Sequence, residues 1–385
     1  KFAYKNAKIM IGRTLLHKIS NRLFKKKAII ITGPRQSGKT TLLKRIVSDL
    51  NKSCTWLNGD EADVREMFEN ATSTLLKSLI GENKLIVIDE AQRIKNIGLI
   101  IKLFVDHFPD IQIIATGSSS FEMADKIKEP LTGRKWEYFL YPLSVKELID
   151  FYGIIEEKRM LEHRMIFGMY PEVVTGPGYE REILKSLADS YLYKDILIWE
   201  QIKKPDKLER LIQALAFQIG NPVSYNELSL TTGMDNETVE RYIDFLEKAF
   251  IVFRLGSLSR NLRNELKKSR KIYFYDTGIR NAVINNFNSL QLRNDTGALW
   301  ENFIISERMK YRQDNEIYAN TYYWRTHAQQ EIDYIEEYGG KMYAYEMKWN
   351  QGKKSKFPTA FQKGYPESKY MVINPGNYVG WLLEQ

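Results

Sequence analysis

The chain has 385 residues, too many for one ordinary core, so two or three domains are expected. With 43% hydrophobic and 27% charged residues it has the balance of a globular protein in water, and no run of about 18 apolar residues offers a membrane span. The single cysteine, Cys54, excludes an internal disulfide and a cysteine-rich zinc site, while the net charge of +9 is compatible with a phosphate-bearing partner without requiring one. The opening residues show no apolar signal core, and the expected compartment is a reducing cytoplasm.

Residues 14–24 carry apolar side chains at helical spacing and end on Lys25, Lys26 and Lys27. AIIITG follows, a short apolar run that reads as a buried parallel strand. LIVIDE (85–90) and IQIIATG (111–117) are two more, with helical stretches between, and WEYFLYPLS (136–144) is a fourth. Strands alternating with helices predict an α/β domain, a parallel sheet flanked by helices, over 1–147. Residues 148–204 read as a helical lid or connector broken by GMYPEVVTGPG. From 205 a helix, a turn at Gly220-Asn221-Pro222, a helix over 224–231 ended by Gly233, and a helix capped by Asp235 or Asn236 lead to the strand-like IVFRLG. That outline predicts a winged helix-turn-helix over 205–262. Residues 263–385 return to α/β character, with strands at 271–276, 322–326, 331–337, 342–349 and 370–374 and a helix over 298–311.

Gly33-Pro34-Arg35-Gln36-Ser37-Gly38-Lys39-Thr40 fits G-x-x-x-x-G-K-[ST], the P-loop or Walker A pattern, between a buried strand and a helix. The glycines let successive backbone N–H groups point at one anion, and the helix beginning near Thr41 adds the positive end of its dipole. The chemistry needs an ammonium on the β- and γ-phosphates, Lys39, and a hydroxyl on Mg²⁺, Thr40. Arg35 lies inside the loop and could also reach phosphate. At the end of the LIVIDE strand, the Walker B position, Asp89 would hold Mg²⁺ and Glu90 would polarise the attacking water as general base. Ser118, with Thr116 second, is the expected sensor that orients this water. Arg134 in LTGRKW would touch the γ-phosphate from the same or a neighbouring subunit and stabilise transition-state charge. The expected cofactors are ATP and Mg²⁺.

GPRQSGKTTLL, VIDEAQ, ATGSSSFEM, LTGR, LYPLSVKEL, GMYPEVV and YLYKDIL, in that order, resemble a large bacterial and archaeal family with an AAA+ ATPase domain followed by a C-terminal domain of unknown function. The similarity runs on through KIYFYDTGIRNAV, WENFIISE, EIDYI and YEMKW. It implies ATP binding and hydrolysis through Lys39, Thr40, Asp89 and Glu90, and homo-oligomers of the kind that AAA+ relatives form.

In the last third, Glu331 and Asp333 share one strand face, as do Glu346 and Lys348 on the next strand. With Glu301 on the preceding helix, the order resembles a PD-(D/E)XK, restriction-endonuclease-like core. That resemblance implies Asp333 and Glu346 as Mg²⁺ ligands and Lys348 as the residue that positions water. His327 lies near this cluster and is read as an ordinary polar contact. The 235–248 helix is acidic, a poor fit to phosphate-lined grooves. The basic segment 254–271, with Arg254, Arg260, Arg263, Lys267, Lys268, Arg270 and Lys271, is the better candidate for DNA. Three readings result: an ATPase that moves its C-terminal domains, an ATP-gated nuclease, and a nucleotide-dependent switch for a protein partner.

Overall fold

The structure of the chain, a computed structural model, describes residues 10–69, 71–118, 131–189, 205–258, 270–326, 328–350, 352 and 356–383. The chain divides into two compact units, residues 1–143 with 248–250 and residues 144–247 with 251–385.

The first unit is built on five parallel strands, β1 (Ala28–Thr32), β2 (Cys54–Asn58), β3 (Leu85–Asp89), β4 (Gln112–Gly117) and β5 (Lys135–Phe139), in the order β2-β3-β4-β1-β5. β1, β3 and β4 are buried along their whole length, which is why they read as unbroken apolar runs. Ile29, Ile31, Leu85, Val87 and Ile114 pack on one face against Leu15, Ile19, Leu42, Leu43 and Ile46, from the helices Thr14–Arg22 and Lys39–Leu50. Ile30, Ile86, Ile88 and Ile113 take the other face, against Phe68, Leu76, Ile101 and Phe104 from the helices Ala62–Glu69, Ser73–Ile80 and Ile97–His107. Each such side chain contributes about 1.5–3 kcal/mol of burial. The sheet is therefore rigid beneath whatever its strand ends carry.

Two strands differ from expectation. β2 went unpredicted because it is an edge strand: only Leu57 of CTWLN is buried, so no apolar run announces it. β5 stops at Phe139 rather than 144. Ser144 instead caps the helix Val145–Tyr152: its hydroxyl accepts from the Glu147 N–H while the Glu147 carboxylate accepts from the Ser144 N–H.

In the second unit the helix Pro205–Phe217, β6 (Pro222–Val223), the helices Tyr225–Thr232 and Asn236–Lys248, β7 (Val252–Ser257) and β8 (Arg270–Phe274) follow in turn. β6 and β7 both pair antiparallel with β8. With β9 (Asn320–Arg325), β10 (Glu331–Tyr338), β11 (Lys341–Met347) and β12 (Lys369–Ile373) they form one seven-stranded sheet, β12-β11-β10-β9-β7-β8-β6. β7 pairs with β8 on one side and runs parallel to β9 on the other. A single sheet thus crosses the domain boundary expected at 262/263, and the contacts divide the chain in two rather than four.

The helix Thr296–Asp314 is buried nearly all round, from Leu299 to Arg308. Buried charges must be paired, and here they are. Arg308 forms a two-pronged bond with Glu336 at 2.9 and 2.8 Å, and Lys310 meets Glu307 at 2.5 Å. Glu301 meets Lys271. Among the described residues, no helix is long and apolar enough to cross a membrane.

Candidate functional site

The C-terminal ends of β1, β3 and β4 converge on the glycine-rich loop. Gly33 leaves β1 so close to the next chain segment that a Cβ there would lie 2.3 Å from the Leu140 carbonyl oxygen. Gly38, at φ 97°, turns the loop into the helix Lys39–Leu50, a conformation only glycine adopts without strain. The Lys39 side chain is buried and donates to the carbonyls of Gly33 at 2.9 Å and Pro34 at 2.7 Å. Pro34, Arg35, Gln36 and Ser37 complete the loop, while Thr40 and Thr41 begin the helix on its exposed side.

The paired acids lie at this loop. The Thr40 hydroxyl donates to Asp89 Oδ2 at 2.8 Å, and the Thr116 hydroxyl donates to Asp89 Oδ1 at 2.5 Å. The register brings this about: Ile31 pairs with Thr116 across β1 and β4, and Ile88 with Ala115 across β3 and β4. A hydroxyl and a carboxylate side by side supply the hard oxygen donors that Mg²⁺ takes, so Thr40 and Asp89 fit this ion. Glu90 follows in the left-handed region at φ 49°, which swings it off the strand line. Gln92, buried in the short 3₁₀ turn Ala91–Arg93, donates its amide to Glu90 Oε2 at 2.5 Å and to Ser118 Oγ at 3.0 Å.

Arg134 is not brought here. It precedes β5, and its carbonyl accepts the Ala28 N–H, so it stands at the opposite, N-terminal end of the strands, a full strand length or about 15 Å from the loop. Its guanidinium pairs with Asp106 at 2.6 Å on the surface. The expected contact within one chain is therefore corrected: strand direction puts Arg134 at the wrong end.

Arg13 was missed. Its guanidinium donates to the Ser37 carbonyl and to the Tyr141 carbonyl, both at 2.6 Å, and so ties the phosphate loop to the segment after β5. A lone arginine ahead of a helix carries no motif, so nothing in the sequence marked it. Such charge-assisted bonds are worth about 1.5–3 kcal/mol. Arg13→Ala is expected to lower Tm by several degrees and to weaken ATP binding several-fold. Thermal melts and a nucleotide titration check this; an unchanged affinity would mean that the loop holds its shape unaided.

In the second unit the structure brings Glu301, Asp333, Glu346 and Lys348 together, as expected from their order, and adds two groups the sequence reading placed elsewhere or passed over. Lys271 stands among the acids, 2.7 Å from Glu331, 2.9 Å from Glu301 and 3.8 Å from Asp333, with its side chain 1% exposed. The Tyr273 hydroxyl donates to Glu301 at 2.5 Å, Asp333 accepts the Met347 N–H at 2.8 Å, and Lys348 pairs with Glu346 at 2.6 Å. Lys271 is thus an internal cation rather than part of a basic surface.

The basic segment loses a second member too. Arg254 donates to Glu247 and Asp244, each at 2.5 Å, which also explains acids on the 236–248 helix. Arg260, Arg263, Lys267, Lys268 and His327, with the YLYKDIL motif, lie outside the described residues.

Burial alone would lower Lys271, but the carboxylates of Glu301, Asp333 and Glu331 outweigh it and hold the ammonium above the ordinary lysine value. Lys271 does not offset the burial of Glu301 and Asp333. Burial pushes Glu301 up to about 7 even though Lys271 pulls it down, and burial likewise raises Asp333. The folded chain binds the Glu301 proton more tightly than the unfolded chain does. Its contribution to stability is therefore present at pH below the ordinary value of 4.5 and is lost as pH rises through about 7. Between pH 5 and 7 the wild type should lose stability relative to Glu301→Gln. Urea denaturation of both across that range measures it, and parallel curves would show that Glu301 is already ionised.

The first unit is a parallel α/β sheet that carries a glycine-rich loop between β1 and the helix Lys39–Leu50. Residues 25–149 match the family described as AAA domain. Residues 158–290 match a Domain of unknown function (DUF8612), and residues 296–382 another (DUF4143). An uncharacterized protein of Mycobacterium tuberculosis is 27% identical over 336 residues, covering 86% of this chain and 72% of the relative. An uncharacterized protein of Methanocaldococcus jannaschii is 24% identical over 310 residues, covering 75% of this chain and 68% of the relative. Among solved structures, a Signal Transduction ATPase with Numerous Domains protein with a tetratricopeptide repeat sensor, from Pyrococcus horikoshii, aligns with a TM-score of 0.31 and 12% identity over 80% of this chain and 48% of that one. Bacteroides Pif1 bound to single-stranded DNA aligns with a TM-score of 0.25 and 17% identity over 40% of this chain and 50% of that one. The chain spans about half the length of these two structures.

Proposed function

We propose that the chain is a Mg²⁺-dependent ATPase whose nucleotide state biases its C-terminal unit. The observation that carries this reading is the bonded series Thr40–Asp89–Thr116 at the mouth of a glycine-rich loop, with Glu90 next in sequence. Lys39 and the loop N–H groups would hold the phosphates. Thr40 and Asp89 would hold Mg²⁺, which supplies charge neutralisation at the phosphates when bound. Glu90 would draw the proton from the attacking water, and Ser118 would orient it. Arg134 keeps a part only as a cation offered to the site of a second copy, which requires a homo-oligomer.

The element order of residues 205–274, with β6 and β7 flanking β8, supports a winged helix, and its use for packing is favoured by the inward pairing of Arg254. The nuclease reading is disfavoured by Lys271. An ammonium 2.7–3.8 Å from three of the carboxylates takes the place that a divalent cation would need. Phosphate release from ATP by the purified chain tests the proposal. Release is expected with Mg²⁺ and not with EDTA, and DNA added to the Mg²⁺ reaction should stay uncut. Mg²⁺-independent release, or none at any concentration of ATP, overturns the ATPase reading; cutting lost in Glu346→Ala overturns the view of the carboxylate cluster.

A further inference from the structure

We infer that Gln92 is a positioning residue that joins the sensor Ser118 to the base Glu90 through one side-chain amide. The inference rests on the ATPase reading above. A carboxylate offers only acceptors, so the Gln92 group facing Glu90 at 2.5 Å is its NH₂. That group has two hydrogens. One goes to Glu90 Oε2, and the other to Ser118 Oγ at 3.0 Å.

Both bonds have chemical consequences. Ser118 Oγ spends an acceptor site on Gln92, which leaves its own hydrogen to donate outward, the polarity needed toward the oxygen of the attacking water. Glu90 spends Oε2 on Gln92 and keeps Oε1 for a water. Gln92 and Ser118 are 1% and 2% exposed, so the bond between them is shielded from solvent, while Glu90 stands half-buried with one oxygen open to a water. A second observation points the same way. Gln92 Oε1 is buried and has no hydrogen-bond partner among the described residues. Buried acceptors are almost always satisfied. A lone acceptor beside the base is a place where a water held by Glu90 can donate its second hydrogen. Gln92 lies on the 3₁₀ turn directly after β3 and Ser118 directly after β4, so a shift at either strand end reaches the base through this amide.

Misplacing a base by about 1 Å costs on the order of a hundredfold in rate. Gln92→Met keeps length and volume but has no donor, and it removes an unsatisfied acceptor, so the fold should stand. Should its melting curve broaden, Gln92→Leu takes its place. The expected result is a kcat for ATP hydrolysis reduced ten- to a hundredfold with the ATP dissociation constant within twofold of wild type. Combined with Ser118→Ala, the double variant should be no slower than the slower single variant, because both changes break one connection. A kcat within twofold of wild type, or two losses that simply multiply, overturns the inference. Glu90→Gln run alongside separates the two levels. If it hydrolyses ATP at the wild-type rate, the base reading falls and the role of Gln92 with it. If it is inactive while Gln92→Met is normal, the Gln92 inference falls alone.

Discussion

Lys39→Ala is expected to weaken ATP binding at least a hundredfold without unfolding the first unit. The Lys39 ammonium is buried and held by the Gly33 and Pro34 carbonyls, at the centre of the loop rather than at its rim. Charge-assisted bonds to two phosphates are worth about 1.5–3 kcal/mol each, and about 1.4 kcal/mol is a factor of ten in affinity. Alanine removes both bonds and leaves the two loop carbonyls without the donor that now satisfies them. The helix Lys39–Leu50 is anchored through Leu42, Leu43 and Ile46, which alanine does not touch, so a melt should shift little. Titration with a fluorescent ATP analogue and Mg²⁺ gives the measurement. Wild-type affinity in a folded variant would show that the loop is not the nucleotide site.

The second large effect separates binding from chemistry. Glu90→Gln should retain ATP affinity within a few-fold and lose hydrolysis by about 10²–10⁴. Asp89, not Glu90, bonds Thr40 and Thr116, so the phosphate and Mg²⁺ side of the site stays intact. Glutamine matches the shape of glutamate and can meet Gln92, but it cannot take a proton from water. Phosphate release measured beside nucleotide binding reads the split. A variant that hydrolyses at the wild-type rate would move the base elsewhere; one that no longer binds would make Glu90 a binding group instead.

The signals that were legible before the structure share one property: the residues that act together are neighbours in the chain. Gly33 to Thr40 is contiguous because one loop must wrap one anion. Asp89 and Glu90 follow four apolar residues because a strand buried on both faces must be apolar until it reaches its ligand-bearing end. The groups that escaped notice are those whose partners are far along the chain. Arg13 holds Tyr141, and Lys271 holds Glu301 and Glu331. A charged residue looks the same in sequence whether it faces solvent or three carboxylates, so by sequence Lys271 falls within the basic segment 254–271. β2 escaped for a different reason, since an edge strand half open to solvent needs no apolar run.

By itself the sequence determined the glycine-rich loop after β1, the acids at the end of β3 and the alternation of strand and helix that makes the first unit. Each of these is local, written in spacing and period. Only the tertiary structure decided that β4 lies between β1 and β3 and so hands Thr116 to Asp89, that Arg134 lies at the far end of the strands, and that one sheet joins β8 to β9 through β7. It also decided the character of the C-terminal acids. Their order along the chain resembles that of a metal-binding core, but a lysine from another strand sits among them, and pairing across 30 to 60 residues leaves no periodic trace in a chain.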